Sequence, residues 1–119
     1  MISIVNTKND AKNKPSRQRT YSPEYILCAA IWLDDGKEHI HKTTDTGFTI
    51  CGHRHHNCFG IMISLGIDYL EYESYSQGFL TSKNRFVDRK EAHEIAHKAG
   101  QLKPGTLYQP TKLYSEDLY

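Results

Sequence analysis

Two clusters in this chain have residue types that can do chemistry. The first is His93-Glu94-Ile95-Ala96-His97. On a helix, histidines at i and i+4 share a face where both can bind zinc. The glutamate between them can act as general base on a metal-bound water. Gly100 follows where many zinc proteases carry a glycine. Lys103 stands where some of those families place a third histidine, and an ammonium cannot take that role. The second cluster is Cys51-Gly52-His53-Arg54-His55-His56-Asn57-Cys58. Its cysteines and histidines are zinc-ligand types. Structural zinc sites usually draw their ligands as two spaced pairs, however, and no distant Cys-x-x-Cys matches this cluster. The same residues suit an anion. A glycine corner followed by Arg54 and His55 at a helix N-terminus offers backbone N–H groups, a favourable dipole and positive side chains to a phosphate. A surface loop with incidental histidines is the third reading of this stretch.

The elements that would position these residues can be read from the apolar spacing. Asp88 has the character of an N-cap, with Glu91 three residues later as in a capping box. Ala92, Ile95, Ala96 and Ala99 then form one buried helical stripe, and Gly100 stops the helix. His93 and His97 fall at the border of that stripe and Glu94 on the other side, a placement that needs no metal. The second cluster sits at a strand-to-helix corner. The spacing predicts a helix from about Arg54 to Leu65, with Phe59, Ile61, Met62 and Leu65 available to its apolar face and Gly66 ending it.

Residues 25 to 33 read as a central strand closed by the turn signal Asp34-Asp35-Gly36. The segment from His39 to Gly52 reads as its hairpin partner, irregular around Asp45-Thr46-Gly47. The stretch Asp68 to Gln77 reads as a polar loop in which Tyr69, Tyr72 and Tyr75 pack. Gln77 to Ser82 gives a further strand, and Asn84-Arg85-Phe86 a bridge into the second helix. Thr81, Ser82, Asn84 and Arg85 together supply hydroxyl, amide and guanidinium groups suited to a sugar–phosphate ligand. In the tail, Leu113, Tyr114, Leu118 and Tyr119 call for a packing partner, and the acids beside them can bond a ribose or accept an arginine. The order strand–strand–helix–strand–helix in so short a chain predicts an α+β fold: a small antiparallel sheet with two helices packed on one face.

At 119 residues the chain makes one domain, residues 21–119, after a flexible basic arm at 1–20. The arm sets Lys8, Lys12, Lys14, Arg17 and Arg19 against Asp10 alone, and Pro15 discourages a helix. A net charge of +1 provides no global field to recruit duplex nucleic acid or a membrane surface. No apolar run is long enough to span a bilayer, and the N-terminus lacks a signal-peptide core. The expectation is a cytoplasmic protein whose three cysteines are free thiols. Eight tyrosines are an excess that suits interfaces and base stacking.

Three motifs carry a resemblance: CGxRHxxC from Cys51 to Cys58, QGFLTSxxRFVDRxEAxxIAxxAGQ from Gln77 to Gln101, and LYSEDLY from Leu113 to Tyr119. With them the chain resembles a family of small phage and prophage proteins over most of residues 25–119, and His93 and His97 fall at variable positions of that helix pattern. It is similar to the Thoeris anti-defence proteins of the first type. Those are phage sponges that bind cyclic ADP-ribose-type immune signals without cleaving them, some also holding cyclic oligonucleotides. The resemblance implies a non-enzymatic homo-oligomer in the host cytoplasm, without cofactor or metal, with pockets near subunit boundaries. The ligand residues are chosen on their chemistry. Gly52, Arg54, His55, Asn84 and Arg85 would hold phosphates, Phe48 or Phe79 would stack a base, and Ser115 and Asp117 would read ribose. The alternatives are a zinc-dependent hydrolase using His93, Glu94 and His97, and a phage structural or host-takeover protein acting through protein contacts.

Overall fold

The computed structural model describes residues 23–72, 74–105 and 112–119, so the basic arm at 1–20 lies outside the described residues. The central strand β1 (Ile26–Asp34) pairs on one side with β2 (Phe48–Gly52) and on the other with β3 (Ser74–Thr81). A short β4 (Phe86–Asp88) extends the sheet beyond β3, giving an antiparallel order β2-β1-β3-β4. Strand side chains alternate between faces, so Ala29, Ile31 and Leu33 of β1 point together, and all three are fully buried. Two helices, α1 (His55–Leu65) and α2 (Arg89–Lys98), cover that face. Cys58 and Met62 of α1 and Ala92 and Ala96 of α2 close the core over Phe79 and Val87, which are cross-strand partners. The architecture is the α+β sheet with two packed helices that the order of elements predicts.

Two elements differ from the sequence reading. β3 begins at Ser74, inside the stretch read as a polar loop. Ser74, Tyr75 and Ser76 take partners Asp34, Leu33 and Trp32 on β1, so cross-strand pairing overrides the weak propensity of the two serines. Phe86, Val87 and Asp88 form a strand and not merely a bridge, because Phe86 and Val87 pair with Leu80 and Phe79. Asn84 makes the tight turn between β3 and β4 in a left-handed conformation (φ 61°), which asparagine tolerates better than most residues. Its side-chain N–H donates to the His41 carbonyl at 3.0 Å and ties the β1–β2 loop to this turn.

The helix ends follow their residues. Asp88 caps α2, its carboxylate accepting the Glu91 N–H at 2.8 Å, and Gly100 leaves the helix at φ 71°. Gln101 then docks on the start of β1. Its Oε1 accepts the Ile26 N–H at 2.7 Å and its Nε2 donates to the Ile26 carbonyl at 2.8 Å. The side-chain amide thus serves as a strand partner beside the irregularity in the β1–β3 register between Ile26 and Cys28. Tyr69 lies edge-on to both Phe59 and Tyr75, and Tyr72 edge-on to Phe48, so the tyrosine stripe packs against the fold as predicted. Among the described residues no helix is long and apolar enough to cross a membrane.

Candidate anion-binding site

Strand β2 meets α1 at a tight corner. A Cβ on Gly52 would lie 3.1 Å from both the Cys58 main-chain nitrogen and the Asn57 Cβ, so a larger residue would force the first helical turn to give way. Arg54 is the N-cap, in extended conformation. Asn57 Oδ1 accepts the Arg54 N–H at 3.0 Å, while the Arg54 carbonyl accepts the N–H groups of Asn57 and Cys58 at 2.9 and 3.2 Å. The helix therefore starts within one residue of its predicted position, with Arg54 fixed at the mouth of its N-terminus.

The Arg54 guanidinium reaches across to the tail. Its Nη1 donates to Ser115 Oγ at 3.3 Å and lies 3.8 Å from Glu116 Oε2, and its Nη2 donates to the main-chain oxygen of Tyr119 at 2.5 Å. The Tyr119 ring lies beneath it, 5.3 Å from guanidinium carbon to ring centroid. That ring stacks on the His53 imidazole at 4.5 Å, and its hydroxyl donates to the His53 carbonyl at 2.6 Å. Ser115 sits in a short 3₁₀ turn (Ser115–Asp117), in which Asp117 Oδ2 accepts the Tyr114 N–H at 3.0 Å. Gly52, Arg54, His55, Ser115 and Asp117 are thus drawn into one region from ends of the motif order more than sixty residues apart. Asp117 spends one carboxylate oxygen on its own turn. Of the two tail acids, Glu116 is the one that meets the arginine.

His55 plays a different part from the cationic one expected. Its Nε2–H donates to the Gly78 carbonyl at 2.8 Å, and the ring stands edge-on to Phe79 at 5.1 Å. Burial lowers its pKa below the ordinary histidine value, with the nearby Arg89 charge acting in the same direction. His55 is a neutral wedge between α1 and β3, and the positive charge at the corner is Arg54.

The other candidates lie elsewhere. Phe48 opens β2 and Gly52 closes it, so a strand length of about 13 Å separates them; Phe48 contacts His39 and Tyr72. Phe79 is fully buried in the core, which corrects its assignment as a base-stacking ring, because protein side chains already cover it. Arg85 is bound by acids: Nε and Nη2 donate to Glu24 at 2.7 and 2.9 Å, and Nη2 lies 2.9 Å from Glu91. The clefts beside Arg85 also contain Glu94 in one case and Asp45 and Asp88 in the other. Such surroundings repel a phosphate. Asn84 serves the turn already described.

Arg89 is the guanidinium that the sequence reading passed over. Arg85 and Arg89, four residues apart, diverge: Arg89 turns to the tail, donating to the Leu113 carbonyl at 2.9 Å and to Gln77 Oε1 at 2.8 Å, and stacks over Tyr114 at 4.5 Å. Two arginines from separate elements therefore clamp the segment Leu113–Tyr119. The aromatic surface at the site is His53 with Tyr119, which also escaped the reading. The signal available for both was the run LYSEDLY, whose oxygen acceptors and apolar residues demand cationic and apolar partners. Beside the corner, a shallow groove of about 730 Å³ runs along α1, lined by Gly52, His53, His56, Asn57, Ile61 and Leu65 among others.

On α2, His93 is 2% exposed and its neighbours Ala92 and Ala96 are fully buried, while Glu94 and His97 are exposed. Among the described residues no group of three or more His, Cys, Asp or Glu side chains is placed to hold a metal.

No curated protein and no solved structure matches the chain. Residues 25–119 match the family model of the phage T4 y16D protein, a span that takes in β1 through the clamped tail, and the chain belongs to that family of phage proteins.

Proposed function

We propose that this phage protein is a non-catalytic binding protein that captures a phosphorylated nucleotide signal at the α1 N-terminus. The observation that carries the reading is the grip of Arg54, at a helix N-cap, on oxygen acceptors: the Tyr119 main-chain oxygen at 2.5 Å and the Ser115 hydroxyl at 3.3 Å. A guanidinium at that place, with the helix dipole behind it, presents to a phosphate oxygen the donors it now gives the tail. The His53–Tyr119 stack supplies an aromatic surface, and a shallow groove along α1 adjoins it. The tail acids and Ser115 would contact ribose. Capture of this kind needs enclosure and paired charge, without a nucleophile or base poised for turnover.

The motif resemblance favours a cyclic ADP-ribose isomer as the ligand, with cyclic oligonucleotides as the wider class. On this reading the function is anti-defence sequestration of Thoeris or CBASS signals by a homo-oligomer in the host cytoplasm. A zinc hydrolase would use His93, Glu94 and His97 instead. One experiment separates them. The purified protein is mixed with cyclic ADP-ribose isomers and cyclic di- and trinucleotides, the free ligand is filtered away, and the protein is heat-denatured. Mass spectrometry of the released material should find the ligand intact, with capture lost in Arg54→Ala and kept in His93→Ala and His97→Ala. Release of cleaved ligand, dependent on those histidines, would favour the hydrolase. An absence of capture would defeat the nucleotide reading.

A further inference from the structure

Cys28 and Cys51 lie on neighbouring strands, on the sheet face turned away from the helices. Cys51 is the register partner of Ala30, and Cys28 stands two residues along β1 from Ala30, so the two cysteines are diagonal neighbours. The Cys51 thiol and the Gly52 main-chain N–H are the near neighbours that act on the Cys28 sulfur. Both cysteines are partly exposed and neither is in a disulfide. Cys58 is unlike them: it is fully buried, and its thiol donates to the Ala29 carbonyl at 3.6 Å. The β1 register irregularity falls between Ile26 and Cys28. Closing a disulfide between diagonal neighbours draws the two strands together locally, and Cys28 stands beside this irregularity of β1.

We propose that Cys28 and Cys51 form a reactive dithiol that exchanges with small-molecule disulfides of the glutathione type, Cys28 attacking and Cys51 resolving. The Cys28 thiolate attacks one sulfur of the disulfide. That sulfur–sulfur bond breaks, and the first glutathione leaves as a thiolate that takes a proton from water. Cys51 then loses its proton to solvent and attacks the Cys28 sulfur, expelling the second glutathione thiolate, which is protonated in turn. Two protein thiols are oxidised to one disulfide, and one glutathione disulfide is reduced to two thiols. The asymmetry of the pair supports these roles. The hydrogen bonds from Cys51 and from Gly52 hold the Cys28 thiol below the usual range, the Cys51 thiol is pushed up in exchange, and burial pushes Cys58 up to about 11.

The test treats the full chain with excess oxidised glutathione, quenches with acid, alkylates the remaining thiols and maps the peptides by mass spectrometry. The expected product is a peptide pair joined through Cys28 and Cys51, with Cys58 alkylated. Cys51→Ser should hold a stable glutathione adduct on Cys28, and Cys28→Ser should slow reaction at Cys51 by about tenfold or more. A wild-type chain that stops at a mixed disulfide, that reacts first at Cys58, or that does not react at all overturns the proposal. So does a Cys28→Ser chain that reacts at the wild-type rate.

Discussion

Replacing Arg54 by alanine removes every polar link between the α1 N-terminus and the tail that the guanidinium makes. The bond to the Tyr119 oxygen, at 2.5 Å, comes from a charged donor and contributes about 2 kcal/mol. The bond to Ser115 at 3.3 Å is long and worth about 0.5 kcal/mol. Glu116, at 3.8 Å with its side chain 69% exposed, adds little against solvent screening, about 0.3 kcal/mol. The contact over the Tyr119 ring adds about 0.5 kcal/mol. These effects share one side chain and do not sum fully, so the expected cost is about 2–3 kcal/mol. Urea unfolding of Arg54→Ala should show a lower midpoint at unchanged slope. Amide exchange should quicken in Ser115–Tyr119 while Leu113, buried in the core, stays protected. Arg54→Lys should fall between, since an ammonium keeps the charge but loses the two-pronged geometry. A midpoint shift worth less than about 0.5 kcal/mol would refute the reasoning and leave the tail held by its apolar residues and Arg89 alone.

Three further outcomes follow from the same structure. His55 titrates below the ordinary value of 6.5 because it is buried, so an unfolded chain takes up its proton first as pH falls; stability should be full above 6.5 and decline below it, and thermal melts of His55→Gln should show a flatter acid limb. Glu24 is lowered from 4.5 to about 2, chiefly by its hydrogen bonds from Arg85, so its contribution should vanish as pH falls from 4.5 toward 2; Glu24→Gln should cost about 1 kcal/mol at neutral pH and show less of that loss in acid unfolding curves. A Cβ at Gly78 would stand 2.0 Å from the Val87 carbonyl oxygen and 2.6 Å from the Phe86 ring, so Gly78→Ala should lose about 3 kcal/mol in urea unfolding by parting β3 from β4.

The fold was legible where local pattern and tertiary structure agree. Asp88, Glu91 and the alanine stripe of α2 define a helix without help from the rest of the chain, and Gly52 and Gly66 bracket α1 in the same way. β4 was not legible as a strand because its three residues carry no period; only the partners Leu80 and Phe79 make it one. Likewise Ser74–Ser76 are strand because β1 is there to pair with them. At the site, the residue types on either side of Gly52 told which corner to consider, but direction did not follow from spacing. Arg85 and Arg89 look equivalent in sequence, yet one is neutralised by Glu24 and Glu91 and the other clamps the tail. Phe79 carries the stamp of a useful aromatic and is core, whereas Tyr119 at the tail supplies the ring that meets Arg54. The His-Glu-x-x-His spacing arises where the buried stripe of α2 meets its exposed flank.

The most direct measurement is a titration of the isotope-labelled protein with a cyclic ADP-ribose isomer, followed by amide nuclear magnetic resonance. Binding at the proposed site predicts that the responding amides cluster at Gly52–Asn57 and Ser115–Tyr119, and that Arg54→Ala abolishes the response. A response centred on Asn84–Arg85 or on His93–His97, or none at saturating ligand, would contradict the account.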